Sequence, residues 1–214
     1  MPQHQTIRSL LMQHIPSSLL MSIKDNLDAG AERAHIAAFQ RHEGHVASYV
    51  GQQRHYYMNE AFHRALEENS AYPTPPSGNA IITGCAGIFT FTRLNTTARA
   101  DAGARAKRSK MRCLLAEANV IIGRTAQPDF FAPSTTPSQA TAFFISVFNT
   151  WKSVHPERTY IAVPDSRIDN WLFFEDIDTF IQGYTPQHTH QQDLAKPRIK
   201  RGIAARQRKN GTSP

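Results

Sequence analysis

Gly87-Ile88-Phe89-Thr90-Phe91-Thr92 alternates large apolar residues with threonine, the two-residue period of a strand with one face buried. A second β-rich run, Ala80-Ile81-Ile82-Thr83-Gly84, lies just before it. Downstream, Ala142 to Phe148, Thr159 to Val163 and Trp171 to Phe174 are rich in β-branched and aromatic residues and read as further strands. Pro164 to Asn170 reads as a turn between the last two, Asp176 to Ile181 as a closing helical turn, and Pro128 to Ser138 as turn-rich. Met111 to Ala116 and Asn119 to Ile122 are apolar segments compatible with strand or helix.

Upstream of residue 80 the period changes to that of a helix. Ile7, Leu10, Leu11 and Ile15 share one helical face, and Pro16 stops it. Ser17 or Ser18 is placed to cap a second helix carrying Leu20, Ile23 and Leu27. Asp28-Ala29-Gly30 reads as an interruption, followed by a further helix through Ala31, Ala34 and Ala38. Asn59 opens another pattern, with Met58, Phe62, Ala65 and Leu66 on its apolar side, and Tyr72 to Asn79 ends the helical region as a loop. The expected fold is α+β: one domain over residues 1–184, with helices in 1–70 packed on an antiparallel or mixed sheet in 80–184. Its core is expected to include Phe89, Phe91, Phe144, Val147, Ile161, Val163, Leu172 and Phe174. Residues 185–214 show no apolar periodicity and are expected to be a disordered basic tail.

The chain of 214 residues is 40% hydrophobic and 19% charged, enough for one sizeable core and too short for two comfortable domains. No apolar run approaches the roughly 20 residues of a membrane span, and Met1-Pro2-Gln3-His4-Gln5 has none of the features of a secretory leader. Cys85 and Cys113 are too few for a disulfide framework and lack metal or redox spacing; they read as small buried hydrophobes in a reducing cytoplasm.

The net charge of +7 is concentrated. Residues 93–112 carry Arg93, Arg99, Arg105, Lys107, Arg108, Lys110 and Arg112 against a single acid, Asp101. Residues 185–214 carry Lys196, Arg198, Lys200, Arg201, Arg206, Arg208 and Lys209 against Asp193. The rest of the chain is mildly acidic, so two segments hold the whole excess and an anionic partner is the economical explanation. The first segment reads as a basic loop whose alanines would let it coil into a cationic helix against phosphates. The tail has no aromatic interleaving, which predicts backbone contacts there rather than base stacking.

Three further patterns bear on chemistry. Pro164-Asp165, then nine residues, then Glu175-Asp176-Ile177 resembles the PD-(D/E)xK nuclease signature. That resemblance implies a divalent metal held by Asp165 and Glu175, although Ile177 stands where the nuclease lysine would be. His42-Glu43-Gly44-His45 is a histidine group without the His-Glu-x-x-His zinc spacing and reads as surface histidines. Gln191-Gln192-Asp193-Leu194 is similar to the start of a bacterial sliding-clamp-binding peptide, with Ala195 in place of its bulky anchor.

The sequence therefore leads to a non-enzymatic nucleic-acid-binding protein in the cytoplasm, with DNA ahead of RNA. Its contacts are expected from Arg99, Arg105, Lys107, Arg108, Lys110 and Arg112 together with the seven tail cations, and no cofactor, metal or membrane is called for. The alternatives are a metal-dependent nuclease on Asp165 and Glu175, or an interaction module such as a toxin or phage-type inhibitor gripping an acidic protein.

Overall fold

A computed structural model of the chain describes residues 2–40, 42–126 and 137–184. The tail and its seven cations lie outside the described residues, as does nearly all of the turn-rich segment before Ser138. The architecture is α+β, with helices from the N-terminal part covering one face of a five-stranded mixed sheet.

Helix α1 spans Pro2–His14, α2 Ser17–Ala38 and α3 Glu43–Glu68. Residue 16 is the N-cap of α2 and offers no side-chain cap, so Ser17 is already its first residue. The break expected at Asp28-Ala29-Gly30 is not there: α2 runs through it. Gly30 serves helix contact instead, because a Cβ at this position would lie 2.8 Å from the Ala61 Cβ and 2.9 Å from the Tyr57 carbonyl oxygen. The missing side chain lets α2 and α3 approach closely. Helix α3 also begins well before Asn59, and His42 caps it by accepting a hydrogen bond from the Gly44 amide (3.3 Å).

The strands are β1 (Thr83–Ala86), β2 (Phe89–Thr97), β3 (Ala140–Phe148), β4 (Arg158–Pro164) and β5 (Trp171–Asp176), in that order across the sheet. The earlier part of the run at Ala80 stays outside β1, which starts only at Thr83. Only β2 and β3 are parallel; their nine residues align from Phe89 opposite Ala140 to Thr97 opposite Phe148. Their crossover contains α4 (Ala102–Lys107), α5 (Lys110–Ala116), a 3₁₀ turn (Glu117–Asn119) and α6 (Val120–Ala126). The segment read as a basic loop is thus a strand end followed by two short helices. Asn119, fully buried, pins the crossover: its amide donates to the carbonyls of Thr141 (3.0 Å) and Pro164 (2.8 Å) and accepts from the Thr141 amide (2.7 Å). Strand β3 is covered on both faces, which is why it reads as a continuous apolar run.

The inner face carries the main core, where Phe89, Phe91, Phe144, Ile161 and Val163 meet α1–α3 as expected. A smaller cluster of Leu94, Phe143, Ile145 and Ala162 lies on the outer face under α4 and α5. Val147 packs against this outer cluster, not the main core. The expectation for Phe174 is overturned: it is 38% exposed. In the regular register it lies opposite Ala162 of the outer cluster, and a bulge then shifts the residues before it. Val163 pairs with Phe173 and Pro164 with Trp171, leaving Leu172 as an extra residue. Leu172 and Phe173 therefore both pack on the main core, while Trp171 and Phe174 sit together with rings 5.6 Å apart. The closing helix α7 (Ile177–Gln182) follows β5, capped by Asp176.

Candidate anion-binding cleft

Strand β1 pairs with β2 only as far as Thr92, so the stretch Arg93–Thr97 has an edge without a strand partner among the described residues. A cleft of about 420 Å³ opens along that edge. One wall is α3, through Gly51, Arg54 and His55; the other is the α4–α5 corner, through Arg105, Arg108, Ser109 and Arg112. Among the described residues, five arginines line it and no carboxylate does.

Arg93 is the deepest, 3% exposed and flanked by no acid. Its Nη1 donates to Asn59 Oδ1 (2.6 Å) and the His55 carbonyl (3.4 Å), and its Nη2 to Asn95 Oδ1. Arg112 reaches over the strand edge and donates from Nη2 to the Arg93 carbonyl (2.8 Å), capping an acceptor that β1 leaves open. Arg54 lies 3.8 Å over the Phe148 ring and donates to the carbonyls of Trp151 (3.1 Å) and Ser153 (2.5 Å). All of these partners are neutral. The Nε atoms of Arg54, Arg93 and Arg112 are buried and have no hydrogen-bond partner among the described residues.

Electrostatics follow from this geometry. Burial, with the Arg112 charge adding, pushes Arg93 down to about 9. Burial holds Arg54 down to about 10, and burial with the Arg105 charge does the same to Arg112. All three remain cationic at neutral pH, so the cleft concentrates positive charge drawn out of water without a counter-ion among the described residues, an arrangement that costs several kcal/mol per unpaired ion. Burial, helped by Arg93 and Arg112 and opposed by a hydrogen bond with the Asn79 backbone, keeps His55 below its ordinary value and neutral.

The cations expected as contacts separate into distinct groups. Arg105 and Arg108 are exposed on the cleft wall, and Arg112 is partly buried within it. Lys107 points away and forms an ion pair with Asp169 (2.5 Å). Arg99 and Lys110 are exposed and do not line the cleft. Sequence reasoning missed Gly51, Arg54 and His55, which come from a helix some 50 residues upstream, and left Arg93 out of the contact residues. A signal was present. Arg54 falls in the row Val46, Val50, Arg54, Met58 at four-residue spacing, and Arg93 in the alternation Phe89, Phe91, Arg93. Both are charges at core-facing positions.

Asp165 and Glu175 are not brought together. Asp165 clasps its own hairpin, accepting from the amides of Arg167 (3.0 Å), Asp169 (2.9 Å) and Asn170 (3.0 Å). Glu175 pairs with Arg8 of α1 (3.1 Å) and lies opposite Ile161, about 13 Å along the strand from residue 165. No cluster of three or more His, Cys, Asp or Glu side chains fit to hold a metal occurs among the described residues. Cys85, expected to be buried, is exposed, and Cys113 is half-buried; both are free thiols. No helix among the described residues is long and apolar enough to cross a membrane. The chain matches no protein-family model, no curated protein and no solved structure.

Proposed function

We propose that this protein binds nucleic acid, with the arginine cleft along the edge of β2 taking backbone phosphates. The observation that carries the reading is that buried Arg54 and Arg93 and partly buried Arg112 line one cleft with no carboxylate in its lining among the described residues. An arginine kept for structure is normally supplied with an acid; a set held without one is complementary to an anion that arrives from outside. Phosphodiesters fit because they accept the planar fork of guanidinium, and because Arg105 and Arg108 extend the positive charge outward from the cleft. The exposed Arg99 and Lys110 would add weaker contacts, as would the tail cations Lys196, Arg198, Lys200, Arg201, Arg206, Arg208 and Lys209. In this reading the protein is a binder in the reducing cytoplasm, with DNA ahead of RNA.

Gly51 provides the test. It faces the cleft, and a Cβ built on it meets nothing within 4 Å, so Gly51→Glu adds a carboxylate to the cleft without a packing clash. The expected result is about a hundredfold loss of affinity in fluorescence-anisotropy titrations with DNA and RNA, because like charges opposed across a contact cost several kcal/mol. Gly51→Ala should bind as the parent does. For the parent, log affinity should fall with log salt at a slope of about −2 to −4, as three to five phosphate contacts require. Equal binding by Gly51→Glu, or binding indifferent to salt, would remove the proposal. Capture of an acidic protein at salt that abolishes nucleic-acid binding would reassign the cleft to that partner.

A further inference from the structure

The geometry points to single-stranded nucleic acid as the ligand class, its unstacked bases resting on an aromatic platform beside the arginine cleft; this rests on the nucleic-acid reading above. The platform is built from the β4–β5 pair. The bulge at Leu172 turns Trp171 out of the main core to lie beside Phe174, and Tyr160 of β4 brings its ring to 4.6 Å from Phe174. Phe143 supports Trp171 from below, with ring centroids 6.2 Å apart. Phe174 is 38% exposed, and Tyr160 and Trp171 are partly exposed. A chain needing only a stable sheet would put small polar residues at such positions; large rings left open to water constitute an unpaid hydrophobic surface.

The neighbouring cleft indicates what covers that surface. Tyr160, Trp171 and Phe174 line a groove of about 430 Å³ together with the small side chains of Ala98, Ala100 and Ala102 and two charged residues, Glu157 and Arg158. Thr96 and Thr97 line both this groove and the arginine cleft, so the two adjoin at the end of β2. Flat apolar rings on one side of a strand end and unpaired guanidinium groups on the other match the two halves of a nucleotide: π-faces stack on the first and phosphates pair with the second. A duplex keeps its base faces stacked inside and cannot use the rings. Stacking is also indifferent to base identity, so the preference concerns strandedness and not sequence.

The test uses the full chain with Trp151→Phe, so that Trp171 is the remaining indole, and titrates it with oligo(dT) and with a duplex of equal length at several salt concentrations. The single strand is expected to quench Trp171 fluorescence and to bind more tightly than the duplex. Phe174→Ala, and separately Tyr160→Ala, should weaken oligo(dT) binding about tenfold while leaving duplex affinity and the salt slope unchanged. Two variants guard against one simply failing to fold, and Phe174 is open enough to be removed safely. Equal affinity for duplex and single strand, or oligo(dT) binding unmoved by both variants while Gly51→Glu abolishes it, would overturn the platform and leave the phosphate cleft standing. A dimer in sedimentation that Phe174→Ala dissociates, with oligo(dT) binding unchanged, would assign the rings to a second copy and likewise overturn it. Binding of neither nucleic acid by the parent at low salt would instead fail the underlying reading.

Discussion

Arg8 and Arg93 are both guanidinium groups drawn largely out of water, one against β5 and the other on β2. Arg8 is provided with Glu175 at 3.1 Å and lies 5.3 Å from the Phe180 ring centroid. Arg93 is more deeply buried, yet its partners are two asparagine oxygens, a backbone carbonyl and a methionine sulfur, and the neighbouring charge that acts on it is that of another arginine. The same fold thus neutralises one arginine and leaves another positive, at the bottom of a cleft lined by four more cationic side chains. An unpaired buried charge costs free energy that selection for stability alone would remove, so on the proposed reading the contrast separates a structural arginine from one held for a ligand.

The contrast breaks most visibly in stability. Glu175→Ala leaves Arg8 without its carboxylate and is expected to cost about 3 kcal/mol, the low end for a buried pair because both side chains keep some exposure to water. Arg93→Met removes a charge that has no acid to lose, and is expected to stay within about 1 kcal/mol of the parent: lost hydrogen bonds to Asn59 and Asn95 are offset by the desolvation no longer required. Urea denaturation of the two variants measures the difference. Equal destabilisation would mean that Arg93 is as structural as Arg8.

Supplying the missing anion sharpens the same point. Pyrophosphate should stabilise the parent by about 2.7 kcal/mol at a hundredfold excess over its Kd, since it binds the native state alone. Gly51→Glu should show no such gain, and neither should Arg93→Met. A thermal-shift titration reads all three. Equal stabilisation of parent and Gly51→Glu would place the anion elsewhere on the protein.

How much of this was legible in the sequence follows from the range of the signals. Strands β2, β3 and β4 could be read because their patterns are local and long enough to repeat. The single-helix character of α2 could not, since Gly30 looks like a breaker until Ala61 and Tyr57 of α3 are brought against it. Trp171-Leu172-Phe173-Phe174 has no alternation from which to assign faces, and the bulge that assigns them is a property of the pairing with Pro164. The cationic run pointed to Arg105, Arg108 and Arg112, but charge counting alone could not distinguish Lys107, neutralised by Asp169, from its neighbours. Nor could it join Arg54 to Arg93, which only the packing of α3 beside β2 makes adjacent in the cleft.

The smallest expected effect concerns His55, the neutral member of the cleft. Its folded-state pKa is depressed by burial first and by Arg93 and Arg112 next, with the Asn79 backbone hydrogen bond acting the other way. The unfolded chain therefore takes up the proton first as pH falls below about 6.5, and binds more protons than the native state throughout that window. Stability is present above this range and declines on acidification, by at most about 1.4 kcal/mol per pH unit for this one group. Two other shifted groups also add pH dependence: His35, depressed by burial and Arg54, contributes in the same direction, while Asp28, raised by burial, contributes in the opposite one. Comparing the parent with His55→Gln between pH 7.5 and 5.5 cancels both, so the parent should lose more stability than the variant. An anion in the cleft offsets the charges of Arg93 and Arg112, so pyrophosphate should shrink that difference. Identical pH dependence in the two proteins would show that the arginines do not reach His55 electrostatically. A difference that pyrophosphate leaves untouched would show that the anion does not sit between them.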